Sequence, residues 1–219
     1  MSIQFSVCDE VRSAAPTFRE LIVEATVSNP PTCDELWAEI EAEANKLRET
    51  LAMEQVRLRP AIDATRRVYK ALGKEPNRYR PSAEALTRRC VKGVELYRTL
   101  TIIDLINLMS LITGHSIGGF DADKVVGNIC LGVGREGEPY EAIGRGPLNI
   151  HCLPVIRDEI GGIGTPTSDN ERTKLSEQTT RLLMTINMYD GGNVEAVESL
   201  TRRLLTQYAS ATEINFTLY

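Results

Sequence analysis

Hydrophobic residues in the first half of the chain recur at the spacing of amphipathic helices. The clearest run is Leu36, Ile40, Leu47 and Leu51, which follows Thr32 and Glu35 in the pattern of a capping box. Glycine and proline bound the other runs, so the pattern predicts four helices in this half. They begin near residues 32, 60, 82 and 96, and the last three end at Gly73, Gly93 and Gly114.

Short runs of strand-forming residues, separated by glycine, dominate the second half. These runs predict a meander of antiparallel strands, and two runs near the N-terminus and one at the C-terminus predict further strands. The runs cover residues 3–7, 21–27, 116–120, 125–133, 139–143, 149–156, 182–188 and 213–218, and a last helix is predicted over about 194–209. We expect one α+β domain over residues 1–219, with a helix-rich N-terminal half packed on an antiparallel or mixed β-sheet sandwich.

The composition is that of a globular protein, with 42% hydrophobic and 25% charged residues. The first ten residues lack the basic and apolar regions of a secretory signal, which predicts a cytoplasmic location. The most apolar stretch, Thr101 to Thr113, is too short to cross a bilayer. Five cysteines without a C-x-x-C pair indicate neither a disulfide framework nor a zinc site.

Charge is unevenly distributed along the chain, whose net charge is −5. Residues 1–56 contain 11 acidic and 4 basic residues, whereas residues 57–89 contain 10 basic and 3 acidic residues. The overall charge argues against general nucleic-acid binding, and DNA is not an expected partner. The basic segment could still bind an RNA backbone, or its residues could be solvated helix faces paired with the acidic first helix.

Common nucleotide and metal motifs are missing or lie in the wrong context. Gly132, Gly134 and Gly137 match G-x-G-x-x-G, but Glu138-Pro139-Tyr140 follows in place of a helix, which predicts a hairpin turn. The sequence contains no P-loop and no zinc-hydrolase motif. The two histidines do not accompany a recognised nucleophile motif. We therefore predict neither a metal nor a cofactor.

Three segments, residues 77–86, 103–121 and 157–173, combine glycines with hydroxyl, amide and charged side chains. Glycine allows the backbone to approach a ligand, and the polar side chains supply directed hydrogen bonds. We predict that the three segments converge on one amino-acid-sized pocket. The alternative is three tight turns whose Ser, Thr and Asx side chains cap their own backbone.

The order of residues in these segments resembles a known family. The matching residues are Pro81-Ser82-x-Glu84-x-Leu86-x-Arg88-Arg89, then Ile103-Asp104-Leu105-Ile106-Asn107-x-x-Ser110-Leu111-x-x-Gly114, then Gly119-Phe120-Asp121-x-Asp123-Lys124. They are similar to the editing domain of bacterial phenylalanyl-tRNA synthetase β subunits, and to free-standing proteins that contain only that domain. The similarity covers about residues 75–190 and implies an α+β, sandwich-like body. In the synthetase, its pocket hydrolyses tyrosine wrongly attached to the phenylalanine tRNA.

The family's functional positions are only partly kept. Asn107 stands where the family has a pocket asparagine, but Ile106 replaces the preceding threonine and Gly118 replaces a histidine. A family glutamate falls at about Met184 or Thr185. The resemblance therefore implies a different amino-acid specificity from tyrosine, or binding without hydrolysis.

From the residues and the resemblance together, we predict an RNA-binding, editing-type protein that hydrolyses the ester at the aminoacylated 3′ end of a tRNA. The alternative is a non-catalytic module that binds tRNA or an amino acid, and without an ATP-binding signature the chain is not a complete synthetase. The predicted catalytic residues are Asn107, Glu84 and Asp169. The predicted substrate-binding residues are Asn77, Ser82, Gly118, Gly119, Thr165, Thr167, Ser168 and Arg172, and the predicted tRNA-binding residues are Arg78, Arg80, Arg88 and Arg89.

Overall fold

The computed structural model describes residues 4–219 and contains two four-stranded sheets and a short hairpin. The strands are β1 (Phe5–Val7), β2 (Arg19–Thr26), β3 (Ser116–Asp121), β4 (Ile129–Val133), β5 (Glu141–Ala142), β6 (Gly146–Pro147), β7 (Pro154–Arg157), β8 (Gly162–Gly164), β9 (Arg181–Met188) and β10 (Thr212–Leu218). The first sheet has the order β1-β4-β7-β8, the second has the order β10-β2-β9-β3, and β5 pairs with β6. The β1–β4 pair is parallel and the other named pairs are antiparallel.

Six α-helices accompany the sheets and confirm the predicted α+β class. They are α1 (Asp9–Ala14), α2 (Asp34–Thr50), α3 (Pro60–Ala71), α4 (Ser82–Val91), α5 (Thr101–Thr113) and α6 (Val194–Tyr208). Each of the five predicted helices is present. Gly114 ends α5 in the left-handed conformation, as its position in the sequence predicted.

The second sheet lies between two hydrophobic layers. Successive residues of β2 point to opposite faces, so Leu21 and Val23 pack with α2, α5 and α6, whereas Ile22 packs between the two sheets with Phe120 and Ile163. Burying a large aliphatic side chain stabilises the fold by about 1.5–3 kcal/mol. The sequence of layers is therefore helices, second sheet, first sheet.

The predicted start of α5 and the predicted cap of α2 are both wrong. Helix α5 begins at Thr101 and not near residue 96, and Cys33 precedes α2 without a side-chain capping bond. The Thr32 hydroxyl instead donates to Asp104 Oδ2 at 2.6 Å, and Thr99 donates to the same carboxylate through its backbone and its hydroxyl. Asp104 therefore satisfies polar groups at the start of both helices, which local sequence could not indicate.

The predicted meander is also wrong, because the strand order in each sheet does not follow the chain. After Gly114, β3 pairs with β9 and β4 pairs with β7, so neither strand pairs with the next strand along the chain. Strand β2 lies between β9 and β10. Among the described α-helices and strands, three short elements were not predicted: α1, β6 and β8. Helix α1 buries only Val11, β6 has two residues, and β8 has three residues, two of them glycine. The prediction for Ile3 lies outside the described residues.

The glycine motif at residues 132–137 forms a strand end and a turn. Gly132 lies in β4, Gly137 has a φ of +70°, and a Cβ atom at Gly134 would lie 1.8 Å from the Ile150 carbonyl oxygen. We expect Gly134→Ala to lower the free energy of unfolding by about 1–3 kcal/mol, because backbone must move to admit the methyl group. Urea unfolding measures this loss. Gly161→Ala is the control, since a Cβ there meets no atom within 4 Å, and an equal loss in both variants would contradict the explanation.

Candidate functional site

The three segments identified in the sequence meet at one cavity of about 410 Å³ between α4, α5 and β3. Its mostly apolar wall consists of Ser82, Leu86, Ile103, Ile106, Asn107, Ser110, Ile117, Gly119, Ile143, Asp169, Lys174 and Leu175. The volume is typical of small-molecule sites. A larger, more open hollow of about 550 Å³ between β2, β9 and β10 contains none of the predicted site residues.

One side of α5 forms much of the cavity wall. Ile103, Ile106, Asn107 and Ser110 recur at the spacing i, i+3, i+4 and i+7, which places them on one helix face. Ile102, Leu105 and Met109 point to the hydrophobic core instead. The family asparagine position, Asn107, therefore presents its side chain to the cavity and not to the core.

Gly119 and Gly118 lie on opposite faces of β3. A Cβ atom at Gly119 would lie 2.4 Å from Ile106 Cδ1, so the glycine leaves space beside the cavity wall. A Cβ atom at Gly118 would meet Phe120 Cζ at 2.6 Å and Thr185 Oγ1 at 2.8 Å, within the space between the sheets. Gly119 therefore lines the cavity, and Gly118 lies outside it.

Asp169 is the acidic residue of the cavity wall. Its Oδ2 atom accepts a hydrogen bond of 3.1 Å from the Gly119 backbone N–H, and its backbone carbonyl accepts one from Ile143. Burial raises the pKa of this carboxyl to about 7, while the Gly119 hydrogen bond acts in the opposite direction. Near neutral pH the carboxyl is thus divided between its protonated and ionised forms.

The turn before Asp169 is closed by its own side chains. Thr165 Oγ1 accepts hydrogen bonds from the backbone N–H groups of Thr167 and Ser168 and donates to the Ser168 carbonyl. The Thr167 hydroxyl lies 2.9 Å from the Tyr69 hydroxyl and donates to the Tyr79 carbonyl. These three predicted substrate-binding residues do not line the cavity. They form the self-capped turn of the alternative prediction, and the turn fixes the position of Asp169.

Glu84 is completely buried in an ionic cluster outside the cavity wall. Its carboxylate lies 2.7 Å from Arg66 Nη1, 2.8 Å from Arg88 Nε and 3.7 Å from Arg80 Nε. Asn77 joins the cluster by accepting a hydrogen bond from Arg66 Nη2 at 2.8 Å. Glu84 and Asn77 therefore connect α3 to α4, and the structure does not place them where they would contact a molecule in the cavity.

Arg172 also has a structural partner. Its guanidinium donates to both oxygens of Asp158, at 2.7 and 3.0 Å, and Asp158 accepts hydrogen bonds from the Ile160 and Gly161 N–H groups. Burial alone would raise the pKa of Asp158, but the hydrogen bonds from Arg172 and the backbone lower it overall. Arg172 thus stabilises the glycine-rich turn and does not reach the cavity wall.

The predicted tRNA-binding arginines lie along α4 and the loop before it. Arg78 and Arg80 are exposed, and Arg88 and Arg89 are half-buried. Arg80, Arg88, Arg89 and Lys92 surround a hollow of about 290 Å³ that is completed by Ala85 and Val94. Lys92 was not included in the prediction, because it follows the basic segment in the sequence.

Several cavity residues were missed because their sequence signal is that of ordinary core residues. Leu86, Ile103 and Ile117 are apolar residues in regular elements, and Lys174 and Leu175 follow the polar segment. A stricter use of the i, i+3, i+4 and i+7 spacing would have found the α5 residues. Among residues 4–219, no group of three or more His, Cys, Asp or Glu side chains is placed to hold a metal ion. No helix in this part of the chain is long and apolar enough to cross a bilayer.

The chain matches one domain family and several known proteins. Residues 64–208 match the B3/4 domain family. A 95-residue stretch is 32% identical to the phenylalanine–tRNA ligase beta subunit of Bartonella henselae and 30% identical to that of Bartonella quintana, covering 42% of this chain. The match covers 12% of each ligase subunit. A crystallised N-terminal fragment of the Pyrococcus horikoshii phenylalanyl-tRNA synthetase beta subunit aligns over 97% of this chain and 50% of that chain, with a TM-score of 0.49 and 12% identity.

Proposed function

The chain belongs to the B3/4 domain family, and on that premise we propose that it is an editing-type deacylase in the cytoplasm. In this proposal the aminoacylated 3′ end of a tRNA enters the cavity that Asp169 lines, and the ester bond is hydrolysed. The similar ligase subunits are named for phenylalanine and tRNA, which supports tRNA as the partner. The main support is that the Asp169 carboxyl, with a pKa of about 7, and the Asn107 amide line the same mostly apolar cavity.

Hydrolysis of an aminoacyl ester needs little beyond a correctly placed water molecule. The ionised Asp169 carboxylate accepts a proton from water as the water oxygen attacks the ester carbonyl. The proton then passes to the ribose oxygen as its bond to the carbonyl carbon breaks. The Asn107 amide and the Ser82 hydroxyl, which also line the cavity, supply hydrogen bonds to the negative charge that develops on the carbonyl oxygen.

A non-catalytic binding module is the second candidate. The location of Glu84 outside the cavity and the closed turn at Thr165 to Ser168 favour it, because both remove polar groups that a catalytic site could use. The raised pKa of Asp169 favours hydrolysis, since a carboxyl that titrates near the working pH is suited to proton transfer. Turnover therefore separates the two candidates.

A panel of mischarged tRNAs provides the test. We expect the protein to accelerate loss of the amino acid from at least one ester, and Asn107→Ala to slow that reaction about tenfold by removing one hydrogen bond in the transition state. Asn45→Ala is the matched control, because Asn45 is an exposed asparagine on α2. If the protein hydrolyses no aminoacyl ester faster than buffer does, only the non-catalytic binding module remains. Binding of a free amino acid without salt-dependent tRNA binding would contradict both RNA functions.

A further inference from the structure

Helix α4 presents two neighbouring surfaces with different chemistry. Ala85, Arg88, Arg89 and Lys92 recur at the spacing i, i+3, i+4 and i+7, so one side of the helix is basic. Ser82 and Leu86 lie on the adjacent side, which lines the cavity. An extended ligand bound along the basic side of α4 would therefore lie beside the cavity.

Tyr97 is an exposed aromatic residue next to this basic side. It lies in the segment between α4 and α5, and 74% of its surface is exposed, more than that of any other exposed large hydrophobic residue in the described chain. The Arg89 guanidinium lies 4.5 Å from the centre of its ring. Arg89 Nε also donates to the Glu95 carbonyl at 2.7 Å. The ring is thus held beside Arg89 while remaining open to solvent.

The buried carboxylate of α4 pairs with other arginines and not with Arg89 or Lys92. Glu84 lies near Arg66, Arg80 and Arg88. Within the described residues, Arg89 and Lys92 form no ion pair. Two cationic groups and one exposed ring therefore lie together at the C-terminal end of α4.

We propose that Tyr97, Arg89 and Lys92 form a docking site for single-stranded RNA. A base stacks on the Tyr97 ring, and the neighbouring phosphates contact Arg89 and Lys92 across the 290 Å³ hollow. Stacking on an aromatic ring with basic groups beside it is the usual mode of single-strand binding. The net charge of these side chains favours a polyanion over an apolar protein partner.

The docking site rests on the proposed function, which identifies the bound RNA as the 3′ end of a tRNA. Arg89 lies about one helical turn from Leu86, a residue of the cavity wall, and a turn advances about 5.4 Å. A tRNA 3′ end that stacks on Tyr97 would thus have its terminal nucleotide within reach of the cavity. The docking site orients the strand, and the cavity holds the acyl group.

Fluorescence anisotropy with a short, labelled, uncharged RNA that ends in the tRNA terminal sequence CCA tests the site. We expect Tyr97→Ala to weaken binding about tenfold and Tyr97→Phe to keep most of it, since stacking requires the ring and not the hydroxyl. Lys92→Ala is expected to reduce the slope of the logarithm of affinity against the logarithm of salt by about 0.7, the loss of one phosphate contact. Leu58→Ala, at a side chain that is 64% exposed in another region, is the control.

Two outcomes would overturn the docking site: no RNA binding by the wild-type chain, or equal affinity in the Tyr97→Ala and wild-type proteins. Hydrolysis of a small aminoacyl-adenosine by the wild-type chain is measured separately, because that ester has no RNA strand for the docking site to bind. Hydrolysis without RNA binding would contradict the docking site and leave the deacylase intact. RNA binding that depends on Tyr97, without hydrolysis of any ester, would support the docking site and contradict the deacylase.

Discussion

Replacement of Asp169 by asparagine is expected to slow ester hydrolysis by about 10²–10⁴-fold, the usual contribution of a general base. The amide has nearly the same shape and can still accept the hydrogen bond from Gly119, which the carboxylate accepts at 3.1 Å. It cannot accept a proton from water. Single-turnover hydrolysis of the ester identified in the tRNA panel, measured at pH 8, reports this loss.

The pH dependence of the wild-type rate should follow the same carboxyl. Because burial raises the pKa of Asp169 to about 7, the ionised form that accepts the proton increases as the pH rises through 7. We expect the rate to increase between about pH 6 and pH 8 and then to level off. The residual rate of the asparagine variant should lack this rise.

The same substitution is expected to stabilise the fold. The folded protein holds the Asp169 proton more tightly than the unfolded chain between about pH 4 and pH 7, so this group lowers stability as the pH rises through that window. At pH 8 the asparagine variant should gain up to about 4 kcal/mol in the free energy of unfolding, because the pKa of Asp169 rises from 3.8 to about 7 on folding. At pH 4 the gain should nearly vanish.

Urea unfolding at the two pH values measures the difference, and Asp63→Asn, at a half-exposed ion pair, is the control. A gain in stability together with unchanged hydrolysis would show that Asp169 is a buried acid without a catalytic role. A loss of stability at pH 8 would instead contradict the raised pKa.

Glu84→Ala is expected to cause the largest loss of stability, about 3–5 kcal/mol in the free energy of unfolding. The substitution removes a fully buried carboxylate and leaves the Arg66 guanidinium, whose side chain is 9% exposed, without its partner at 2.7 Å. Arg88 loses its partner at the same time. For a protein of this size the midpoint of thermal unfolding should fall by roughly 10 °C.

The control for Glu84 is Asp63→Ala. Asp63 lies 2.8 Å from Arg67, but both side chains are more than a third exposed, so its loss should change stability by less than about 0.5 kcal/mol. Glu84→Gln keeps the shape of the side chain and should fall between the two. Equal effects of Glu84→Ala and Asp63→Ala would contradict the importance of burial.

The sequence predicted those parts of the fold that depend on neighbouring residues. Helices α3 and α6 have long periodic stripes and clear terminal residues, so their existence and their limits were predictable. The start of α5 was not predictable, because contacts with a distant segment hold the preceding residues outside the helix: Leu100 bridges to Pro31, and Arg98 donates to the Thr32 carbonyl. The position of β2 between β9 and β10 also depends on contacts between distant segments.

Prediction of the site was limited because the same polar residue types can bind a ligand or stabilise a turn. Ser82, Asn107, Gly119 and Asp169 lie at the cavity, as the convergence of the three segments implied. Thr165, Thr167 and Ser168 have equally suitable side chains, but their hydrogen bonds close a turn. The sequence around a carboxylate such as Glu84 does not indicate whether the carboxylate contacts a ligand or a buried arginine. Those roles differ only in three-dimensional surroundings.

Strands β1, β2 and β10 lie outside the region that matches the family, yet they pair with strands inside it or with each other. Residues 64–208, which match the family, contain β9 but neither β2 nor β10, and contain β4 but not β1. A fragment cut at those limits would expose one entire edge of β9 and the apolar face of α5 that packs against α2. Such an unpaired edge invites aggregation. The region that matches the family is thus shorter than the two sheets to which its strands belong.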